Sequence, residues 1–330
     1  MAKVQAVTQM RIDSHQHFWR YSPTEHPWMT GEMDRLKRDF MPEDLEPLLG
    51  SLNFDGSIAV QASQTLKETS WLLELAGKHD FIRGVVGWVD LRSADLPRQL
   101  DRFAAHANFV GVRHIVQDEP DDEFLLRADF MDGIGQLRQF DLTYDLLVYP
   151  KHLRAAAQLM RRFPEQPFVL DHIAKPRISE GVLSPWREDL QELARCPNVF
   201  CKLSGMVTEA AWNRWSPADF GRYLDVVVEA FTPHRLMIGS DWPVCTLSGS
   251  YASSMQIVID YVEQFAPEAR AGVLGGNCAR FYGIEGGSSL DSSSGKSKIL
   301  EGQPQILRLR PPEADVAPHE QAPAELRGMS

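Results

Sequence analysis

His15 and His17 stand one residue apart in the stretch MRIDSHQHFW, residues 10–19, after a short apolar run. On a strand, residues i and i+2 share a face, with Cα atoms roughly 6.5–7 Å apart. Two imidazoles that close can converge on one ion or one oxygen. Further polar side chains close other apolar runs: Gln61, Trp88 and Asp90, Arg113 and His114, Tyr149, Asp171 and His172, Lys202 and Ser204, and Asp241. Burying such groups without partners is costly, so their recurrence at run ends points to one polar pocket. Asp241 suits a functional carboxylate rather than a helix N-cap or salt-bridge partner, and the histidines suit metal ligation or polarisation of a substrate. Arg113 and His114 are neighbours on one run, so only one of them faces the pocket.

The elements that must position these groups are eight short β-rich runs, at 10–18, 56–63, 82–91, 109–116, 142–150, 167–174, 198–205 and 235–244. They are near-continuously apolar, as strands buried on both faces are. Segments of helical period lie between most of them, for example LKETSWLLELAGKH and SPADFGRYLDVVVEAF. Two such segments open Ser184-Pro185 and Ser216-Pro217, which predicts a serine N-cap and a first-turn proline. A strand–helix unit repeated eight times predicts an α/β fold, a closed (β/α)8 TIM barrel, with an open doubly wound sheet as rival. In such a barrel the strand C-termini surround the active site. The long connection 19–55 reads as a flap over the mouth, with a helix near Pro42 to Leu49. Within it, Trp28 offers a ring face to a cyclic ligand, and Trp19 reads as a packing anchor. His26, His79, His106 and His234 read as surface or loop residues. Residues 10–285 form the barrel domain on this reading. The Gly-, Ser- and Pro-rich stretch 286–330 reads as a disordered low-complexity tail. Its SGKS lacks the first glycine of a phosphate loop, because position 290 is leucine.

The chain has 330 residues, 43% hydrophobic and 24% charged, with a net charge of -11. This balance allows a sizeable core and argues against nucleic-acid or anionic-membrane partners. The four cysteines, Cys196, Cys201, Cys245 and Cys278, show no CxxC spacing and read as buried thiols. No apolar run of about 18 residues and no signal-peptide pattern stand out, so a cytoplasmic location is expected. Monomer and homo-oligomer both stay open. No G-x-S-x-G elbow is present, which disfavours a serine nucleophile.

The motifs IDSHQHFW, GVRHI, FVLDHIAKP, CKLSG and GSDWPV, in that order, resemble the amidohydrolase superfamily. They are most similar to its branch of sugar-lactone and pyrone-lactone hydrolases, over residues 10 to about 284. The resemblance implies a (β/α)8 barrel in which His15, His17, His172 and Asp241 match positions that bind one or two divalent metals in many members. Strand 4 offers Arg113-His114 where binuclear sites place a bridging carboxylate or modified lysine. The expectation is therefore no required cofactor, or a single Zn2+ on His15, His17, His172 and Asp241. The implied activity is hydrolysis of a sugar lactone of the L-fuconolactone or L-rhamnonolactone type. Asp241 would be the general base and His15, His17 and His172 would polarise the carbonyl. Arg113, His114, Tyr149, Trp28 and Lys202 would bind the substrate. The alternatives are a metal-dependent decarboxylase of the same superfamily and a sugar-acid binder without catalysis.

Overall fold

A computed structural model describes residues 10–284 of the chain. The expected tail and its SGKS segment lie outside the described residues. Eight strands form one parallel sheet in sequence order: β1 Ile12–Gln16, β2 Gly56–Val60, β3 Ile82–Gly87, β4 Phe109–His114, β5 Thr143–Leu146, β6 Phe168–Leu170, β7 Val199–Leu203 and β8 Leu236–Ile238. The residues after β8 return to β1. The Asp241 N–H donates to the His15 carbonyl at 2.8 Å, and the His17 N–H donates to the Trp242 carbonyl at 2.7 Å. These two bonds bring the ends of the sheet together as a barrel, the fold the sequence pattern predicts.

The strands are shorter than the runs that announce them. β5 ends at Leu146 and β3 at Gly87, so Tyr149, Trp88 and Asp90 sit on loops beyond the strands. Helices α1 Pro42–Ser51, α2 Leu66–Ala76, α3 Leu96–Ala104, α4 Ala128–Leu137, α5 Leu153–Arg162 and α6 Trp186–Ala194 come first in chain order. The short α7 Met206–Glu209, then α8 Ala218–Phe231, α9 Tyr251–Phe265 and α10 Asn277–Tyr282 complete the set. At α6 and α8 the expected caps shift: Pro185 and Pro217 take the N-cap position themselves. Ser216 does not cap by its side chain; its N–H donates to Asp219 Oδ2 at 2.7 Å.

Two apolar clusters hold the fold. The larger joins helices and flap to the outside of the sheet. The smaller includes Ile12, Ile58, Val86, Val110, Val169 and Met237 from strands, with Cys278, Phe281 and Tyr282 of α10 packed against them. All four cysteines are free and buried. The flap is stitched through Trp19, which exchanges backbone hydrogen bonds with Phe40 at 3.1 and 2.9 Å and donates Nε1–H to the Arg38 carbonyl at 2.9 Å. His26, read as a surface or loop residue, lies in the flap loop and is buried there, with its ring stacked on Tyr21 and tilted against Trp19. The aromatic residues of the flap supply the apolar cover that the spacing of a lone histidine does not reveal. No helix among the described residues is long and apolar enough to cross a membrane.

Candidate active site

Four predicted residues meet at the C-terminal mouth. His15 Nε2 and His17 Nε2 are 3.2 Å apart. Asp241 Oδ1 lies 3.3 Å from His17 Nε2, 3.7 Å from His172 Nε2 and 3.8 Å from His15 Nε2. All four side chains are buried. Their backbones are brought together by the seam between β1 and the post-β8 segment. Asp13 Oδ1 accepts the Ser240 N–H at 2.8 Å and the His15 N–H at 3.2 Å, tying both arms to one carboxylate.

Hydrogen-bond partners fix the ring protons. The Val60 carbonyl, 2.8 Å from His17 Nδ1, can only accept, so neutral His17 carries its proton on Nδ1 and presents a bare Nε2. His15 Nδ1 lies 3.2 Å from Asp171 Oδ1 and 3.2 Å from Lys202 Nζ. A proton on Nδ1 faces Asp171 and leaves the Nε2 lone pair to accept from Arg113; a proton on Nε2 is directed at His17 Nε2. In neither tautomer is a His15 or His17 proton free for a carbonyl oxygen. Of the two routes expected for these rings, direct polarisation or metal ligation, this geometry favours ligation. His172 Nδ1 pairs with the Ser204 hydroxyl at 2.9 Å. When Ser204 donates, His172 keeps a proton on Nε2, facing Asp241 and the mouth.

Burial dominates the electrostatics. It holds His15 well below its ordinary value and pulls His172 down to about 4, against the opposing fields of Asp171 and Asp241. For Asp241, burial acts upward, but the surrounding imidazoles, His172 foremost, outweigh it and keep the carboxyl well below the usual range. At neutral pH Asp241 is thus a carboxylate beside the neutral rings of His15 and His172.

Beneath it lies a buried ionic floor. Arg113 donates to Asp171 Oδ2 at 3.1 Å and to Gln61 Oε1 at 2.9 Å, and sits 3.3 Å from His15 Nε2. Lys202 is wholly buried, paired with Asp145 and 3.2 Å from Asp171. Tyr282 donates its hydroxyl to Asp145 at 2.8 Å. Burial pulls the Lys202 ammonium down, and Asp145 and Asp171 more than offset it, leaving it raised. Burial lifts Asp145 to about 6 although Lys202 opposes. Asp171 stays well below the usual range because Lys202, His15 and Arg113 overcome its burial.

The other predicted residues do not join the cluster. Lys202 and Arg113 are floor residues engaged by carboxylates. His114 turns away from it: Nε2 pairs with Glu119 at 2.6 Å and the ring stacks on Phe124. Tyr149 stands at the rim, 37% exposed. Trp28 packs edge-on against Trp19 in the flap. The sequence reading missed Asp13, Asp145 and Tyr282. A lone carboxylate inside the apolar run LTYDLLV was the available signal for Asp145, since a buried charge demands a partner. A cavity of about 370 Å³ beside Trp242 is lined by Arg35, Arg38, Phe40 and Tyr251 among others, and by none of the histidines.

His15, His17 and Asp241 place ligand-type atoms within 4.8 Å of one another. With His15 protonated on Nδ1, two unprotonated imidazole nitrogens and a carboxylate oxygen converge, a donor set that fits one divalent cation. The acceptors on the outer ring nitrogens are the partners that orient metal-binding histidines.

Eight parallel strands that deliver three imidazoles and a carboxylate to one mouth define a (β/α)8-barrel hydrolase site. The sequence profile of the amidohydrolase family (Amidohydro_2) matches residues 12–284. The chain belongs to the amidohydrolase family. It is 41% identical over 286 residues to an L-fucono-1,5-lactonase of Burkholderia multivorans, covering 83% of this chain and 96% of that one. It is 39% identical over 283 residues to the L-fucono-1,5-lactonase of Burkholderia ambifaria, with the same coverage. A crystal structure of a Burkholderia multivorans amidohydrolase with bound Zn aligns with a TM-score of 0.80 and 42% identity, covering 83% of this chain and 99% of that chain.

Proposed function

We propose that this protein opens the ring of a sugar lactone of the L-fucono-1,5-lactone type. The observation that carries the mechanism is the convergence of three imidazoles on one oxygen of Asp241. The high identity to lactonases along the barrel supports the substrate class.

A lactone is a cyclic ester, and its hydrolysis needs a base for water and stabilisation of the developing oxyanion. Asp241 is ionised at neutral pH and carries its imidazole contacts on Oδ1. The second oxygen takes the proton of the attacking water and returns it to the ring oxygen as the C–O bond breaks. The ring oxygen leaves as the hydroxyl of the open acid. His172 donates from Nε2 toward the carbonyl oxygen. A Zn2+ held by His15, His17 and Asp241 would polarise that carbonyl as a Lewis acid when bound. Arg113 and Lys202 fix His15 and Asp171 rather than reach the substrate. Tyr149 at the rim and Trp28 in the flap are the candidates for ring contact.

The test is Asp241→Asn. Removal of a general base should cost at least ~10²–10⁴-fold in kcat on L-fucono-1,5-lactone, with the melting temperature close to wild type. A pH-indicator assay reads it. Wild-type turnover in the folded variant would sink the mechanism.

A further inference from the structure

Four consecutive residues after Asp171 lie in the left-handed region: His172, Ile173, Ala174 and Lys175, with φ of 53, 49, 60 and 51°. None is glycine, and Ile173 is β-branched. Such a conformation is costly for every L-residue, and it persists only where its surroundings hold it. Here the Lys175 N–H donates to the His172 carbonyl at 2.8 Å, Trp186 Nε1–H donates to the Ile173 carbonyl at 2.8 Å, and Ile173 and Ala174 are fully buried. This path carries the chain from His172 to Lys175.

Lys175 is half-buried, with Nζ 5.5 Å from the centre of the Tyr149 ring. Among the described residues it has no carboxylate within 4.0 Å and its Nζ makes no hydrogen bond. Glu209, at the end of α7 after β7, is also half-buried, and its carboxylate accepts no hydrogen bond there. It lies in the fields of both Lys175 and Asp241. Burial and Asp241 push its carboxyl up, and Lys175 pulls it down. Tyr149 feels Glu209 in turn. The loops after β5 and β6 thus bring the Lys175 ammonium beside the Tyr149 ring, and Glu209, half-buried at the end of α7, supplies an acceptor within the field of Lys175.

We propose that Lys175 and Glu209 hold adjacent hydroxyls of the sugar ring, the ammonium donating to one oxygen and the carboxylate accepting from the next, with Tyr149 beside them. This rests on the lactonase reading and names the residues that give it sugar selectivity. The pair distinguishes a polyhydroxylated lactone from a bare one, because only the former satisfies both groups.

The experiment compares L-fucono-1,5-lactone with δ-valerolactone, the same six-membered ring without hydroxyls, on wild type, Lys175→Met, Lys175→Arg and Glu209→Gln. The proposal expects KM for the fuconolactone to rise about 10- to 100-fold in Lys175→Met and Glu209→Gln while kcat changes by less than about threefold. It expects Lys175→Arg to recover part of the loss, and the loss to be confined to the hydroxylated ring. Equal losses on both lactones, a fall in kcat with unchanged KM, or no change would overturn it. Where δ-valerolactone turnover is too slow to measure, the KM-against-kcat split on the fuconolactone decides. A wild type that opens neither lactone would refute the lactonase reading itself, and that failure is distinct from unchanged variants of an active enzyme.

Discussion

Protons decide what His15 and His17 can do. His17 donates its N–H to the Val60 carbonyl, and His15 has no proton free for a carbonyl oxygen, so on the proposed mechanism the pair acts on substrate through a cation. Arg113 stands 3.3 Å from His15 Nε2 and adds a positive charge next to the pair, which opposes a second metal. Mass spectrometry of the purified protein should find at most one Zn2+ per chain, and His17→Ala should remove it. On the proposed mechanism Asp241 and His172 act without the cation, so metal-stripped enzyme should retain turnover well above that of Asp241→Asn. A fall to that variant's level would refute the metal-independent route. Glu68 makes a different prediction. It is buried on α2 and accepts N–H bonds from Ala62 and Ser63, with Ser63 at 2.8 Å. Burial lifts its carboxyl to about 7 from 4.5, against those bonds. A raised carboxyl favours the folded state at low pH, and the advantage is lost as pH rises from about 4.5 through about 7. Glu68→Gln should remove that slope. Relative to wild type it should gain on the order of 2–3 kcal/mol between pH 5 and pH 8 in urea unfolding. At this scale the HxH pair and Asp241 were legible, because their types and run-end positions are unusual. The proton assignments were not, since they depend on Val60 and Asp171 across the barrel.

Strands were legible because a parallel barrel buries both faces and writes a continuous apolar run for each. The turn after β6 was not: HIAK contains no glycine or asparagine to announce a left-handed path. Tertiary contacts impose it, and Gly205 makes room for it. Gly205 has φ +64°, and a Cβ there would meet His172 Nδ1 at 2.5 Å. Gly205→Ala should therefore cost about 1 kcal/mol or more in stability and at least ~10-fold in kcat, because His172 must move. Gly283→Ala is the matched control: φ is +67° and nothing lies within 4 Å of the added carbon. It should lower the melting temperature and leave turnover intact. Equal activity in the two variants would show that His172 tolerates displacement.

Across the whole barrel, the ionic floor links strands that are distant in sequence: Arg113 on β4, Asp145 on β5, Asp171 after β6 and Lys202 on β7, with Tyr282 of α10 beneath. Removing one member leaves uncompensated buried charge. Lys202→Met should destabilise by about 3–5 kcal/mol, read as a lower urea midpoint. Combining it with Asp145→Asn should cost less than the sum of the two single changes. Additive costs would mean that the pair does not act as a unit. The seam where β1 meets the post-β8 segment has its own consequence. Its two closing bonds run through the backbones of His15 and Asp241 themselves. The first strand thus waits for more than two hundred residues of chain before its histidines gain their carboxylate. A nascent or nicked chain lacking the last strand holds imidazoles without Asp241, so on the proposed mechanism ring opening reports a finished barrel and incomplete copies stay silent.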